Sequence, residues 1–206
     1  MSFRFALDPT AAQARQLLMF AGARRMCFNH HIGRVNANLA ARSVQRAAQV
    51  PSDQMTPALS WSRQSFINEL NAWKTGRAPA SPVSEDGTRG LVWRDAVSAD
   101  VFECASVDAA QALANYKASA AGARSGVRVG FPAFKARHHT TPAFRLRSKA
   151  KPGASTSIRF CDSKHVRLPK LGELRISGCA RTPLRMVGGG RFHVLSATLR
   201  LEKGRW

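Results

Sequence analysis

A three-residue pattern of an apolar residue, an arginine and another apolar residue recurs along the chain and restricts its fold strongly. Triplets of this kind begin at Phe3, Phe144, Ile158, Val166, Leu174 and Leu199. Because successive side chains of a β-strand point to opposite faces, each triplet would place its apolar residues against a core and its arginine outside. Glycines and prolines punctuate the runs after Val127, which is typical of antiparallel strands joined by turns. We therefore predict a sheet or small barrel with an arginine-rich outer face.

A long helix is predicted directly after the N-terminal strand, which is expected over residues 3–7. Thr10 and Gln13 form a capping-box pair, a pattern that marks helix starts. Apolar residues then recur at helical spacing over residues 17–39. This spacing predicts one helix, or a broken pair of helices, that ends before Pro51.

Two further helices are predicted over residues 60–74 and 99–121, and Gly122 can close the second of them. Between them, residues 76–90 are rich in Gly, Pro and Ser and are expected to form a loop. The expected core residues are Trp61, Phe66, Leu70, Trp73, Phe102, Ala105, Ala109, Leu113 and Tyr116. Apolar stripes of this kind are far more often core packing than cofactor sites, so we predict core packing here.

The basic residues are concentrated in the C-terminal part of the chain. The formal net charge is +20, yet residues 1–116 contribute only +3, from 12 basic and 9 acidic residues. Residues 117–206 contribute +17, from 20 basic and 3 acidic residues. Such an excess of positive charge attracts polyanions, and nucleic acid is the usual one. We expect DNA, RNA or both to bind to this part of the chain.

Several classes of protein are excluded by what the sequence lacks. No apolar run is long enough to span a membrane, and the N-terminus has no apolar segment typical of a signal peptide. Cys27, Cys104, Cys161 and Cys179 are spread singly without a CxxC pair, so no zinc site is expected. We predict a cytoplasmic protein with reduced thiols, no bound metal and no cofactor.

The segment VGFPAFKARHH, residues 129–139, combines two phenylalanines with basic residues and contains no acid. Phe131 and Phe134 can hold the loop on the core, or one of them can stack on a base. Lys135 and Arg137 lie beside them in the sequence and can reach phosphates. The predicted phosphate contacts are Lys135, Arg137, Arg145, Arg147, Lys149, Lys151, Arg159, Arg167 and Arg175.

The glycine-rich segment RMVGGGRFHV, residues 185–194, raises the question of a phosphate-binding loop. It lacks the Gly-Lys-Ser/Thr ending of such a loop, and no helix pattern follows it. We therefore predict a flexible hairpin turn at this segment.

Four motifs, in this order along the chain, resemble those of one protein family. They are Pro9, Thr10 and Gln13 at the first helix start; Gly22, Arg25 and Asn29 within that helix; GFPAFK at 130–135; and LPKLG at 168–172. Together they extend over nearly the whole chain, which resembles the N-terminal part of TnpB, the OrfB-type protein of small bacterial insertion sequences. Members of this family are classed as transposases and are related to the type V CRISPR effectors.

The resemblance implies an α+β fold in which a helical recognition lobe is inserted into a small basic antiparallel β-barrel. Residues 1–8 would form the first barrel strand, and residues 9–125 would form the helical lobe, including the region named as a helix-turn-helix. Residues 126–206 would form the rest of the barrel, which is expected to be incomplete. In the family, these parts hold a guide RNA and read a short DNA motif beside the target.

The resemblance also implies a RuvC-like nuclease further along the family's chain, where three carboxylates hold two divalent metal ions. The present sequence stops at Trp206 without a DLG-like segment, and its last forty residues contain only Glu173 and Glu202 as acids. Two-metal catalysis needs several converging carboxylates. We therefore expect a fragment truncated before the nuclease, with no catalytic residues of its own.

These observations predict a nucleic-acid-binding fragment of a TnpB-like transposase that lies in the cytoplasm on the nucleoid. It would bind DNA, guide RNA or both during transposition of an insertion sequence, without being an enzyme by itself. Two alternatives remain open. The chain could be one half of a split RNA-guided DNA endonuclease that a separately encoded nuclease half completes in trans. It could also be the non-functional product of a decayed gene.

Overall fold

The computed structural model describes residues 1–148, 157–189 and 192–206, which form four α-helices and six β-strands. The helices are α1 (Ala11–Ala47), α2 (Arg63–Lys74), α3 (Ala99–Ala120) and α4 (Arg181–Gly188). The strands are β1 (Ala6–Asp8), β2 (Ala143–Arg147), β3 (Arg159–Phe160), β4 (His165–Leu168), β5 (Gly172–Ser177) and β6 (Ser196–Arg200). The predicted combination of helices and antiparallel sheet is confirmed. Within the described residues, no helix is both long and apolar enough to cross a membrane.

Contacts between residues divide the chain into two compact units, each built from separate stretches of sequence. The sheet unit consists of Met1–Arg24, Asp95–Cys104 and Arg137–Trp206, and the helical unit consists of Arg25–Arg94 and Ala105–Ala136. Helices α1 and α3 therefore supply residues to both units. The linear division of the chain into three domains stays a prediction.

The capping box predicted at the start of α1 is confirmed. The backbone N–H of Thr10 donates to Gln13 Oε1 at 3.0 Å, and the backbone N–H of Gln13 donates to Thr10 Oγ1 at 3.3 Å. These bonds satisfy two backbone donors that the helix start would otherwise leave unpaired. Helix α1 then continues for 37 residues to Ala47, so the prediction resolves to one helix that ends before Pro51.

Helices α2 and α3 also lie where the apolar spacing predicts them. Ser62 caps α2 by accepting a hydrogen bond from the Ser65 N–H at 3.1 Å. Gly122 follows α3 with a φ of +68°, a conformation that glycine adopts easily because it has no Cβ. The core cluster of the helical unit contains Phe28, Ile32, Val35, Phe66, Ala109, Ala110 and Leu113. Trp61, Trp73 and Tyr116, also predicted for the core, are only partly buried.

The strands form two antiparallel sheets within the sheet unit. One sheet has the order β1-β5-β4-β3, so the N-terminal strand pairs with β5, with Leu7 opposite Ile176. The other sheet consists of β2 and β6. The N-terminal strand begins at Ala6 rather than at Phe3. Closure of the sheets into a barrel is not seen among the described residues and stays a prediction.

The alternation of apolar residues and arginines is observed in the strands of the sheet unit. In β2, exposed Arg145 lies between buried Phe144 and buried Leu146. Residues 174–176 of β5 show the same alternation. Phe144 also packs edge-on against Phe20 of α1, with 5.3 Å between the ring centroids. Full burial of side chains of this size stabilises a fold by roughly 1.5–3 kcal/mol each. The buried apolar side chains on the inner face therefore contribute most to the stability of these strands.

The hairpin turn predicted over residues 185–194 is wrong for its first part. Residues 185–188 form the last turn of α4 instead, and residues 190–191 lie outside the described part of the chain. Pro183 lies in the first turn of α4, where its missing N–H costs no hydrogen bond within the helix. The proline is buried, whereas Arg181 and Arg185 are exposed.

Candidate nucleic-acid interface

The strand register places the arginines of β3, β4 and β5 on one face of the four-stranded sheet. Half-buried Arg159 lies opposite exposed Arg167, which in turn lies opposite Glu173. On the same face, Arg175 lies opposite Asp8, with 3.8 Å between NH1 and Oδ2. Opposite charges in cross-strand pairs attract each other. This face therefore has mixed charge, and its arginines are partly neutralised within the sheet unit.

Strands β2 and β6 present a face that contains no acidic residue. Arg145 lies opposite Thr198 and is flanked along the same face by Arg147 and Arg200. Arg145 is exposed and forms no ion pair with any residue that the structure describes. Its guanidinium group therefore keeps its N–H donors available for a phosphate.

Arg147 forms ion pairs within the sheet unit instead. Its NH2 group donates to the Glu103 carboxylate of α3 and lies 3.8 Å from Oδ1 of Asp100. Asp100 is buried, and a buried carboxylate requires a charged or hydrogen-bonding partner. These contacts favour a stabilising role for Arg147 over the predicted phosphate contact.

The arginines of the sheet unit include some that form an ion pair and some that are exposed without an ion pair to any described residue. Arg4 and Arg200 both bind Glu202, with 3.0 Å between Arg200 Nε and Glu202 Oε1. The paired class contains Arg4, Arg147, Arg175 and Arg200. Exposed arginines without an ion pair to any described residue include Arg137, Arg145, Arg167, Arg181 and Arg185. Of these, Arg181 and Arg185 lie on α4 and were not among the predicted contacts.

In the helical unit, one asparagine side chain holds the GFPAFK segment on α1. Asn29 Nδ2 donates to the backbone oxygen of Lys135 at 3.1 Å, and the Lys135 N–H donates to Asn29 Oδ1 at 2.8 Å. Both backbone polar groups of Lys135 are thus satisfied, which fixes the path of the segment. Asn29 was not among the predicted site residues, although it belongs to one of the four motifs.

The two phenylalanines of this segment have different environments. Phe131 packs against the core cluster of the helical unit and lies edge-on to Tyr116, with 5.2 Å between the ring centroids. Phe134 is 57% exposed, and its ring lies over Gly33 of α1. The packing favours a core role for Phe131 and leaves Phe134 as the ring that is accessible to a base.

Of the three predicted lysine contacts, only Lys135 lies within the described residues. Lys135 Nζ lies 3.5 Å from the ring centroid of Phe28, which is a cation–π contact within the helical unit. A phosphate ligand would compete with the ring for this ammonium group. Lys149 and Lys151 lie outside the described residues.

A group of polar side chains surrounds Glu69 in the interior of the helical unit. One Glu69 oxygen lies 3.0 Å from His30 Nε2, and the other lies 3.0 Å from Arg34 NH1. His31 Nε2 is hydrogen-bonded to Ser106 Oγ at 2.9 Å. Burial, partly offset by the Glu69 carboxylate, lowers the pKa of His31 to about 4. Burial raises the pKa of Glu69, but the His30 hydrogen bond and nearby positive charges outweigh it and lower that pKa overall.

The described residues do not form a metal centre. Among them, no group of three or more His, Cys, Asp or Glu side chains is arranged to hold a metal ion. The two divalent ions that the family's nuclease implies therefore find no ligand set among the described residues.

Comparison with known proteins agrees with the resemblance. Residues 1–42 match a family model described as a helix-turn-helix domain, of the type found in OrfB proteins of IS605 elements. The chain is 28% identical to two curated proteins of Mycobacterium tuberculosis, from strains CDC 1551 and H37Rv. Each is named "Putative RNA-guided DNA endonuclease", and the alignment covers 97% of this chain and 39% of each relative.

The chain thus spans about two fifths of the length of these relatives. The resemblance to the N-terminal part of the TnpB family is confirmed by these matches. The matched residues 1–42 contain β1 and most of α1, which is one continuous helix rather than two helices joined by a turn.

Proposed function

We propose that this chain is the nucleic-acid-binding N-terminal part of a TnpB-like transposase and that it binds RNA or DNA through exposed arginines. The observation that carries the proposal is the net charge of +17 over residues 117–206, together with exposed arginines that have no ion pair to any described residue. Arginine donates N–H groups in pairs to phosphate oxygens, which suits a nucleic-acid backbone. The names of the two relatives refer to RNA and DNA and support this class of ligand.

Seven of the nine predicted phosphate contacts are kept in this proposal. They are Lys135, Arg137, Arg145, Lys149, Lys151, Arg159 and Arg167. Arg147 and Arg175 are left out because acidic side chains already pair with them. Phe134 is the proposed stacking residue, and Phe131 is assigned to the core of the helical unit.

In this proposal the ligand is a guide RNA, and the bound complex would lie on the nucleoid through its contacts with DNA. The helical lobe over residues 9–125 and a barrel over residues 126–206 would hold the RNA during transposition. The cleavage of DNA that the relatives' names describe is proposed only in combination with a nuclease half. The greater length of the relatives favours this arrangement over cleavage by these residues alone.

The test is to purify the chain from a host that carries the whole locus, wash it at physiological salt and sequence the RNA that remains bound. A purification from the same host without the chain provides the control. The proposal predicts a discrete RNA that maps to the locus. Bulk nucleic acid without a discrete RNA enriched over the control would contradict it, because binding by charge alone does not select one RNA. That result would favour the decayed-gene alternative.

A further inference from the structure

Helix α4 presents an exposed face with two arginines and no acidic residue. Arg181 and Arg185 are four residues apart, so they lie one turn apart on one side of the helix, with about 6 Å between their Cβ atoms. Thr182 and Gly188 are exposed as well, whereas Pro183 is buried. The helix is therefore fixed on one side and carries its positive charge on the other.

The two arginines of α4 have no neutralising partner among the described residues. Most acidic residues of the sheet unit have an Arg or His partner elsewhere within that unit. Those with an Arg or His partner are Asp8, Asp100, Glu103, Asp162 and Glu202. Two guanidinium groups one helical turn apart repel each other. An anionic ligand bound between them would reduce this repulsion.

The start of α4 lies beside a third basic residue. The Ala180 N–H donates to the carbonyl oxygen of Ser163 at 2.7 Å, which joins α4 to the turn between β3 and β4. Lys164 is exposed in that turn. Asp162 in the same turn is hydrogen-bonded to His165 at 2.9 Å. Lys164, Arg181 and Arg185 together outnumber the Asp162 carboxylate, so the net charge of this turn and α4 is positive.

We propose that the α4 surface, defined by Lys164, Arg181 and Arg185, binds the sugar-phosphate backbone of an RNA strand. The inference rests on the proposed function and names a contact site for it. A separation of one helical turn lets the two guanidinium groups reach neighbouring phosphates of one strand. Because arginine and lysine donate N–H groups to phosphate oxygens, we assign this surface to positioning the ligand by its backbone. Recognition through the backbone is the usual mode for structured RNA.

The test compares two double variants that remove the same charge from the sheet unit. Arg181→Gln with Arg185→Gln removes the α4 charges, and Arg4→Gln with Arg200→Gln removes two exposed arginines that are paired with Glu202. Binding of a fluorescein-labelled RNA stem-loop is followed by anisotropy over a salt series. We expect the α4 variant to lose affinity about tenfold and to reduce the salt slope by about 1.4–1.8, the value for two lost phosphate contacts. The control variant should change the slope by less than half as much.

Three further measurements make the outcome specific to α4. Arg181→Lys with Arg185→Lys keeps the charge and should restore most of the salt slope, and thermal unfolding should show that all variants remain folded. A DNA stem-loop of the same sequence is measured in parallel, and a loss confined to DNA would overturn the assignment to RNA. Equal weakening by the α4 and control variants, or no weakening by either, would overturn the α4 site and leave the proposed function standing. Failure of the unaltered chain to bind RNA would overturn both.

Discussion

Arg145 and Arg147 lie two residues apart on the same face of β2, yet their surroundings differ. Arg145 is exposed without an ion pair to any described residue, whereas Arg147 binds Glu103 of α3 and lies near buried Asp100. An exposed arginine can bind a ligand without lowering the stability of the protein. An arginine that is paired with a buried carboxylate cannot leave it without destabilising the protein.

Exchange of these two arginines for glutamine should therefore give opposite results. Arg147→Gln should lower the free energy of unfolding by about 2 kcal/mol, since it leaves the Asp100 and Glu103 carboxylates less well paired. Arg145→Gln should change stability by less than about 0.5 kcal/mol and weaken RNA binding instead. Urea unfolding and fluorescence anisotropy measure the two effects. Equal effects of both substitutions on stability would contradict the assignment.

The two phenylalanines of the GFPAFK segment allow a similar comparison. Phe131→Ala should destabilise the protein by about 2 kcal/mol because its ring is partly buried against the core cluster. Phe134→Ala should leave stability nearly unchanged and lower the affinity for single-stranded RNA by about 1–3 kcal/mol, the range for one base–aromatic stack. If Phe134→Ala binds RNA as tightly as the unaltered chain, no base stacks on this ring.

Buried His31 predicts how stability depends on pH. Burial lowers the pKa of His31 from its usual 6.5 to about 4, so between these values the unfolded chain binds a proton that the folded chain does not. The free energy of unfolding should therefore be greatest above pH 6.5 and fall by about 2 kcal/mol on acidification to about pH 5. Glu69, His30 and Arg34 all face this ring, and the lowered pKa of Glu69 adds a further loss only at still lower pH, below its ordinary value of 4.5.

Urea unfolding at neutral and mildly acidic pH measures this dependence. His31→Gln removes the titrating ring while keeping a side chain that can hydrogen-bond to Ser106, and it should flatten the curve over the first part of the range. An unchanged pH dependence in this variant would show that other groups cause it.

Single-residue roles were predictable where they depend on neighbours in sequence. The exposure of Arg145 follows from strand alternation, which is local. The ion pair of Arg147 with Glu103 and the bonds of Asn29 to Lys135 join residues 44 and 106 positions apart. No local pattern indicates such pairs. The motifs of the resemblance include both Asn29 and Lys135, but they gave no indication that one holds the other.

At the scale of elements, two glycines fix the loop that follows α2 in the helical unit. Gly90 has a φ of +94°, and a Cβ built there would lie 2.6 Å from the Lys74 carbonyl oxygen. Gly76 has a φ of +82°, and its Cβ would lie 2.7 Å from the Arg89 carbonyl oxygen. Both positions therefore require glycine for its conformation and for the close approach of two backbone segments.

Gly90→Ala should lower the free energy of unfolding by more than about 2 kcal/mol, because backbone atoms must move to admit the methyl group. Gly87→Ala is the matched control in the same loop. Gly87 also has a positive φ, +81°, but a Cβ there has no atom within 4 Å. Its substitution should cost only about 1 kcal/mol. Equal losses in thermal or urea unfolding would show that the close approach at Gly90 is not required.

The elements predicted well are those with local signals. The capping box located the start of α1, and alternation located β2, β4 and β5. Helix α4 was missed because Pro183 and the following glycines resemble a turn, although its first turn tolerates proline. The spacing of Arg181 and Arg185 was the available signal for it. The N-terminal strand was predicted from residue 3, whereas pairing with β5 begins at Ala6.

At the scale of the whole molecule, the distribution of charge was the most informative property of the sequence. It predicted a polyanionic ligand, and the ion pairs distinguish the arginines that are paired within the sheet unit from the exposed arginines that have no ion pair to a described residue. Barrel closure and the linear domain division depend on contacts between distant segments, and they stay predictions. The relatives that the chain matches are more than twice as long as the chain itself.

The most direct test of the central claim is the salt dependence of RNA binding by the unaltered chain. Anisotropy of a labelled RNA stem-loop, measured over a series of salt concentrations, gives the slope of log affinity against log salt. Because five or more exposed arginines are proposed or inferred to contact phosphates, we predict binding at physiological salt with a slope on the order of −4. No binding at physiological salt, or a slope near zero, would contradict the claim that exposed arginines hold a nucleic-acid backbone.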